Sequence, residues 1–239
     1  MKILATSDLH GILPKIEEPF DLLLICGDIC PAHDHYYKYQ LEWFMNEFAD
    51  WINSLPFNPD PIAEPFSKVV MVGGNHDFFL ERITNSELTK FYKKAFNRVV
   101  VLKNEEYSYE YIDDKGIASL RIFGTPYCKI FGNWAFMVSN EKLKEKYSKM
   151  PLNCDIVISH DSPSINNLGT IQEGWQKGIN AGNTILAEEI KIKKPKYFFS
   201  GHIHSGNHNF EDVDGTMMAN VSLVNEQYRP VYDILKFEI

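Results

Sequence analysis

The sequence predicts a single α/β domain, on three observations. Short, continuous apolar runs end abruptly in Gly or polar residues, one long amphipathic stretch lies between two of them, and no repeat, low-complexity tract or linker divides the 239 residues. A chain of this length commonly stays one domain and is long enough to bury a sizeable core. The first run, Lys2 to Thr6, and the second, Leu22 to Cys26, read as buried strands. Between Asp34 and Leu55, the residues Tyr37, Leu41, Phe44, Phe48, Trp51 and Leu55 recur at three- and four-residue steps, which places them on one inward face of a helix that Pro56 stops. Pro56 to Pro65 holds four prolines and reads as an irregular connection, followed by a third buried strand at Lys68 to Val72. A strand, helix, strand order with this spacing predicts a right-handed crossover.

Farther along, Ser86 to Phe96 reads as a short helix and Val99 to Leu102 as a strand. Tyr107 to Ile112 and Ile117 to Phe123 flank Asp113-Asp114-Lys115-Gly116, whose residues suit a hairpin turn. Asp155 to Ser159 is another buried strand, Thr184 to Ile192 a helix and Tyr197 to Ser200 a strand. The last two strands are expected near Met217 to Val221 and Val231 to Phe237.

Composition narrows the function classes. Against 24 Lys and Arg stand 32 Asp and Glu, a formal charge of -8 with no basic arm, which argues against stable binding of long nucleic acid. No apolar run approaches the roughly 18 to 20 residues that span a bilayer, and the N-terminus lacks the pattern of a secretory signal. No membrane association is expected, and a cytoplasmic protein is. Cys26, Cys30, Cys128 and Cys154 sit in mostly apolar surroundings and read as buried reduced thiols, consistent with a reducing compartment.

The polar residues that follow the strands carry the chemistry. Asp8-Leu9-His10 follows the first, Gly27-Asp28 the second, and Gly74-Asn75-His76-Asp77 the third. His160 follows the Asp155 strand, and Gly201-His202-Ile203-His204 the Tyr197 strand. Open α/β sheets build their sites at such strand ends. Taken singly, each piece has a plainer reading: Gly27-Asp28 also suits a turn after a strand, and a lone His160 a hydrogen-bonded loop residue. Five polar strand ends together read as one rim. Carboxylate oxygen with imidazole nitrogen, and no Cys, suits Mn, Fe, Co, Ni or Zn. Asp8, His10, Asp28, Asn75, His160, His202 and His204 are too many ligands for one ion; if Asp28 bridges, they divide into two sites of four.

In this order the blocks D-x-H, G-D, G-N-H-D, H and G-H-x-H resemble those of the calcineurin-like metallophosphoesterase superfamily, from Asp8 to His204 with no block missing. A narrower similarity, to the metallophosphoesterase-domain branch, rests on Gly124-Thr125-Pro126-Tyr127, Phe131-Gly132-Asn133-Trp134-Ala135-Phe136, Pro195-Lys196, Asn220-Val221-Ser222 and Tyr228-Arg229-Pro230. The resemblance implies a four-layer α-β-β-α sandwich of two mixed sheets flanked by helices. It implies two divalent metal ions, one held by Asp8, His10 and His204 and one by Asn75, His160 and His202, with Asp28 between them. His76 is implied as the catalytic residue that contacts the phosphate, with Asn75, and protonates the leaving oxygen at an ordinary histidine pKa, while Asp77 is available to orient it. In-line attack by a metal-bridging hydroxide on a small phosphate ester, a phosphodiester or cyclic nucleotide, is the implied reaction. A phosphomonoesterase, a nuclease and a non-enzymatic scaffold are the alternatives.

Trp134 and Tyr127 are taken as a substrate wall, with Asn180 and Asn225 after them. The loop after His160 reads Asp161-Ser162-Pro163 where the narrower branch resembles Gly-Pro-Pro, and Asp161 is expected to point to solvent. His33 and His35 read as a solvated cap region beside Asp34. Tyr36, Tyr37, Tyr39, Trp43, Phe44 and Trp51 read as mostly core, and Lys191, Lys193, Lys194 and Lys196 as a solvated helix end.

Overall fold

The computed structural model describes residues 1–58, 69–91, 96–114 and 116–239. The strands are β1 (Lys2–Thr6), β2 (Leu22–Cys26), β3 (Val69–Val72), β4 (Val99–Val101), β5 (Glu105–Asp113), β6 (Gly116–Thr125), β7 (Cys128–Lys129), β8 (Met137–Val138), β9 (Ile156–Ser159), β10 (Tyr197–Ser200), β11 (Glu211–Val213), β12 (Thr216–Asn220) and β13 (Leu235–Glu238). The helices are α1 (Tyr37–Trp43), α2 (Ala49–Ser54), α3 (Phe78–Arg82), α4 (Asn85–Phe91), α5 (Asn140–Tyr147) and α6 (Thr184–Lys193). Residues 59–68 of the proline-rich connection, 92–95 of the expected helix at Ser86 to Phe96, and Lys115 of the hairpin turn lie outside the described residues.

Two mixed sheets form. One has the order β13-β1-β2-β3-β4, parallel except for β13; the other runs β11-β12-β10-β9-β6-β5, parallel through its four central strands. The period of two along each strand sorts the side chains. Ile3, Ala5, Leu22, Leu24, Val70 and Val72 face Ile122, Ile156, Ile158, Phe199 and Ala219 across the sandwich. Leu4, Leu23, Ile25, Val69 and Met71 face the other way, onto Phe44, Phe48, Ile52, Phe79 and Leu80 of the first helical layer. Phe123, Val157, Phe198 and Met218 cover Leu143, Tyr147, Leu186 and Ile190 of α5 and α6. Strands buried on both faces read as unbroken apolar runs, and the result is the four-layer sandwich.

Helix α1 passes into α2 through a π turn, Phe44–Phe48, whose two end rings stack at 4.4 Å. The expected apolar stripe is thus one helical run with an inserted bulge. Strand β13 begins later than expected, so residues 225–234 form an irregular crossing over the sheet ends. All four cysteines are buried and unbridged. Among the described residues no helix is long and apolar enough to cross a membrane.

Candidate metal centre

The parallel strands β1, β2 and β3 of one sheet and β9 and β10 of the other end at a common rim. A bridge from Ser7 to Ser222 joins the two sheets there. The chain turns sharply at each end: Asp8, His10, Asp28 and His202 all take positive φ, between 45° and 67°. Asp and His are among the residues that tolerate this conformation best, and such backbone clusters where side chains must be aimed. Gly74 and Gly201 let the loops close, since a Cβ at Gly74 would overlap the Asp28 carboxylate and one at Gly201 the Asp8 carboxylate.

Ligand-type atoms of Asp8, His10 and His204 converge within 4.8 Å, as do those of Asp8, Asp28 and His160 and those of His10, Asp28 and His76. Asp28 stands between two groups: its Oδ2 lies 3.8 Å from His10 Nε2, and its Oδ1 lies 3.6 Å from His160 Nε2. Asn75 Oδ1 is 2.8 Å from His160 Nε2 on the second side. His202 stands outside these three clusters; its ring lies 4.9 Å from that of His160, and its backbone N–H donates to both oxygens of Asp8 at 3.1 Å. Ser222 Oγ donates to Asp8 Oδ2 at 2.7 Å.

The donors fit divalent cations. Nδ1 of His160 lies 3.1 Å from the carbonyl of Cys26, and Nδ1 of His204 lies 3.0 Å from that of Asn225. An imidazole that donates from Nδ1 turns a bare Nε2 toward the centre, as in metal sites generally. His160 Nε2 then faces Asn75 Oδ1, acceptor against acceptor. His10 Nε2 faces His204 Nε2 at 3.3 Å. The first contact is repulsive until a cation or a proton stands between the atoms; the second sets two imidazole nitrogens where one ion would meet both.

Charge points the same way. Burial raises Asp8, but its hydrogen bond to His204 and the charges of His204, His160 and His10 outweigh that and hold it below the usual carboxylate range. Burial would lower His204, yet Asp8 holds it up to about 9. Asp28 is pushed well up, by burial and then by the charges of Asp77 and Asp8. Burial holds His10 and His202 well below the ordinary histidine value. Two buried carboxylates with mostly neutral imidazoles is an arrangement short of positive charge, which a bound divalent ion supplies.

Several expectations need correction. His76 does not keep an ordinary pKa: burial, then the neighbouring His35 and His160, lower it to about 3, so its ring is neutral near pH 7. Asp77 does not orient that ring. Its carboxylate accepts from the N–H groups of Ile29, Cys30 and Gly74 at 2.8 to 3.1 Å and so staples the Asp28 turn to the Asn75 loop. Asp161 does not point to solvent but is fully buried, accepting from Asn183 Nδ2 at 2.7 Å and lying 3.4 Å from the Tyr147 hydroxyl. Through Asn183, which caps α6, it fixes the loop after His160. His35 is half-buried over the centre, with Nε2 3.1 Å from His76 Nδ1.

Of the proposed wall, Trp134 stands 4.6 Å from the His76 ring, whereas Tyr127 packs against Phe136 at 5.8 Å with Lys146 above it. Asn180 caps its own loop at Gly182, and Asn225 enters only through its carbonyl. Tyr228 had no expected role, yet its ring lies 4.7 Å from His10 and 5.2 Å from His204. Its signal was present in Tyr228-Arg229-Pro230, a block with no strand end to place it. Trp43, Phe44 and Trp51 are core, while Tyr36 is 81% exposed. Lys191, Lys194 and Lys196 are exposed at the end of α6.

A family model described as calcineurin-like phosphoesterase matches residues 1–206. Metallophosphoesterase domain-containing protein 1 of Homo sapiens is 26% identical over 243 residues, spanning 96% of this chain and 68% of that protein. A UPF0046 protein of Caenorhabditis elegans is 26% identical over 97% of this chain and 76% of its own length. Among solved structures, phosphopantetheinyl hydrolase from Mycobacterium tuberculosis superposes with a TM-score of 0.54 at 14% identity, over 95% of this chain and 90% of that one. At that identity the likeness speaks to the fold.

Proposed function

The chain belongs to the calcineurin-like phosphoesterase family, and from that membership we propose that it hydrolyses small phosphodiesters, nucleotides or cyclic nucleotides among them, with two divalent ions such as manganese. The observation that carries the proposal is the placement of one buried carboxylate, Asp28, with an oxygen toward each of two groups of metal-type ligands. Asp8, His10 and His204 would hold one ion, Asn75, His160 and His202 the other, and Asp28 both. Such a pair lowers the pKa of water and offsets charge on a phosphate. The chain's own groups do the rest. Asp77 and Ser222 hold the two carboxylates in place. His76, neutral at pH 7, offers an N–H to the leaving oxygen, whose proton then comes from water.

The surroundings of His76 favour a diester over a monoester. Its ring neighbours are His10, His35, Trp134 and Tyr228. None carries a fixed positive charge, so they suit a monoanionic diester better than a dianionic monoester. Trp134 and Tyr228, the latter 44% exposed, offer ring faces to a base or other flat group. The partner is therefore a small phosphate ester.

The test compares bis-p-nitrophenyl phosphate with p-nitrophenyl phosphate in Mn²⁺, alongside cyclic nucleotides. The diester should be turned over faster. Asp28→Asn should lower its rate by at least ~100-fold, and metal analysis should find fewer than two ions per chain. Asn tolerates the positive φ of position 28, so the fold should survive. Equal metal content and rate in wild type and variant would overturn the assignment; a faster monoester would shift the reaction to a phosphomonoesterase.

A further inference from the structure

His35 belongs to no ligand group and to none of the sequence blocks at the strand ends, yet it touches His76, which belongs to both. His35 Nε2 lies 3.1 Å from His76 Nδ1, with ring centroids 5.1 Å apart. His35 is itself wedged: Trp134 meets it edge-on at 4.9 Å and Phe78 lies at 5.5 Å. The loops that carry the two histidines are tied together from beneath by Gln40, which is fully buried. Its Nε2 donates to the carbonyl of His76 at 2.7 Å and to that of Asp34 at 3.3 Å, and its Oε1 accepts from Phe79 N–H at 2.9 Å. One carboxamide therefore sets the separation of the backbones beside His35 and His76. The Asp34 carboxylate, accepting from Tyr36 N–H at 2.9 Å, shapes the loop between them.

We propose that His35 is a positioning residue for the reaction: it donates from Nε2 to His76 Nδ1, which fixes the ring and leaves the His76 proton on Nε2, facing the centre. The inference rests on the phosphodiesterase reading above and adds to it the group that prepares His76. Its chemical basis is that a neutral imidazole has one donor and one acceptor nitrogen, and the partner of one decides the role of the other. His76 stands beside Asp28 and His10, where the carboxylate and an incoming phosphate both favour an N–H over a lone pair. Among the described residues the partner of His76 Nδ1 is His35 and not a carboxylate, and the neighbouring Asp77 is taken by three backbone amides. His35 takes the selecting role. Its outer edge opens on a surface cavity of about 430 Å³ lined with His33, Asp34 and Tyr36, so the residue can be exchanged without opening the core.

The experiment uses two diesters that differ only in their leaving group, methyl p-nitrophenyl phosphate and methyl phenyl phosphate, with Mn²⁺-loaded wild type, His35→Ala and His35→Gln. A hydrogen bond to the leaving oxygen matters more when that oxygen is more basic. His35→Ala should therefore lose roughly 10-fold or more in kcat on the phenyl ester, less than about threefold on the p-nitrophenyl ester, with KM little changed. His35→Gln, whose side-chain N–H can reach the same atom, should recover most of the loss. In the metal-free protein, imidazole ¹⁵N spectra should show His76 with its proton on Nε2 in wild type and a tautomer mixture in His35→Ala, the His76 signals being assigned by their loss in His76→Ala. Equal losses on both esters, or the same His76 spectrum in wild type and His35→Ala, would overturn the role of His35. If wild type cleaves neither ester while the spectra change as described, the phosphodiesterase reading fails and the contact stands.

Discussion

Asp28 and Asp77 show how differently two buried carboxylates can serve one site. Asp28 keeps its oxygens turned toward the imidazoles, accepting a single backbone hydrogen bond, from His76 N–H at 2.7 Å. Asp77 spends both oxygens on the amides of Ile29, Cys30 and Gly74 and so holds the turn in which Asp28 sits. Asp77→Ala would leave three buried donors unpaired and should destabilise the protein by about 3 kcal/mol. Urea denaturation at pH 7 checks this, and an unchanged midpoint would contradict it. The residue types at the rim were legible in the sequence because carboxylates and imidazoles followed apolar runs. The partner of each was not, because His35 and Gln40 reach His76 from 41 and 36 positions away.

At the scale of elements, the strands were legible wherever both faces are covered, as in β1, β2, β9 and β10. Short pieces without an apolar run were not, and α3, α5, β7, β8 and β11 owe their existence to what they pack against. The start of β9 illustrates an element held by polar contacts. Asp155 accepts from Arg121 N–H at 2.8 Å and from Lys196 Nζ at 2.7 Å, stitching β6, β9 and β10 at the end away from the rim. Partial burial raises Asp155, but the Arg121 amide and Lys196 outweigh it and depress its pKa. A depressed carboxyl stabilises the fold above the unfolded value of about 3.9 and stops doing so as pH falls through its folded value. Asp155→Asn should thus cost about 0.5 to 1 kcal/mol at pH 7, a modest figure because the pair is partly solvated. The difference should shrink as pH falls below the unfolded value and through the lower folded one, and denaturation at neutral and at strongly acid pH measures it.

On the scale of the whole molecule, the centre is a clasp between two sheets. Asp8, Asp28 and Asn75 come from the first, His160, His202 and His204 from the second. Ions that bind only the folded chain should therefore pin the sandwich. At 100 times its dissociation constant each adds about 2.7 kcal/mol, or roughly 5 to 10 °C in Tm for a chain of this size. Differential scanning calorimetry of metal-stripped protein, before and after Mn²⁺, tests this; no rise in Tm would mean that the rim does not bind the ion in the folded state. The net charge of -8 is summed over the whole chain, the carboxylates of this clasp included, and counts no bound ion. It bears on long polyanions and leaves a small ester at the rim free to respond to the local field.

Periodicity and strand-end chemistry are local properties of the chain, and they carry the α/β class, the strands buried on both faces and the order of polar strand ends. That Asp28 has one oxygen toward each ligand group, that Asp77 serves the backbone and Asp161 the interior, and that His35 and Tyr228 border the centre emerges only from the folded molecule. Those facts depend on where loops distant in sequence meet when two sheets pack, and no spacing along the chain records that distance.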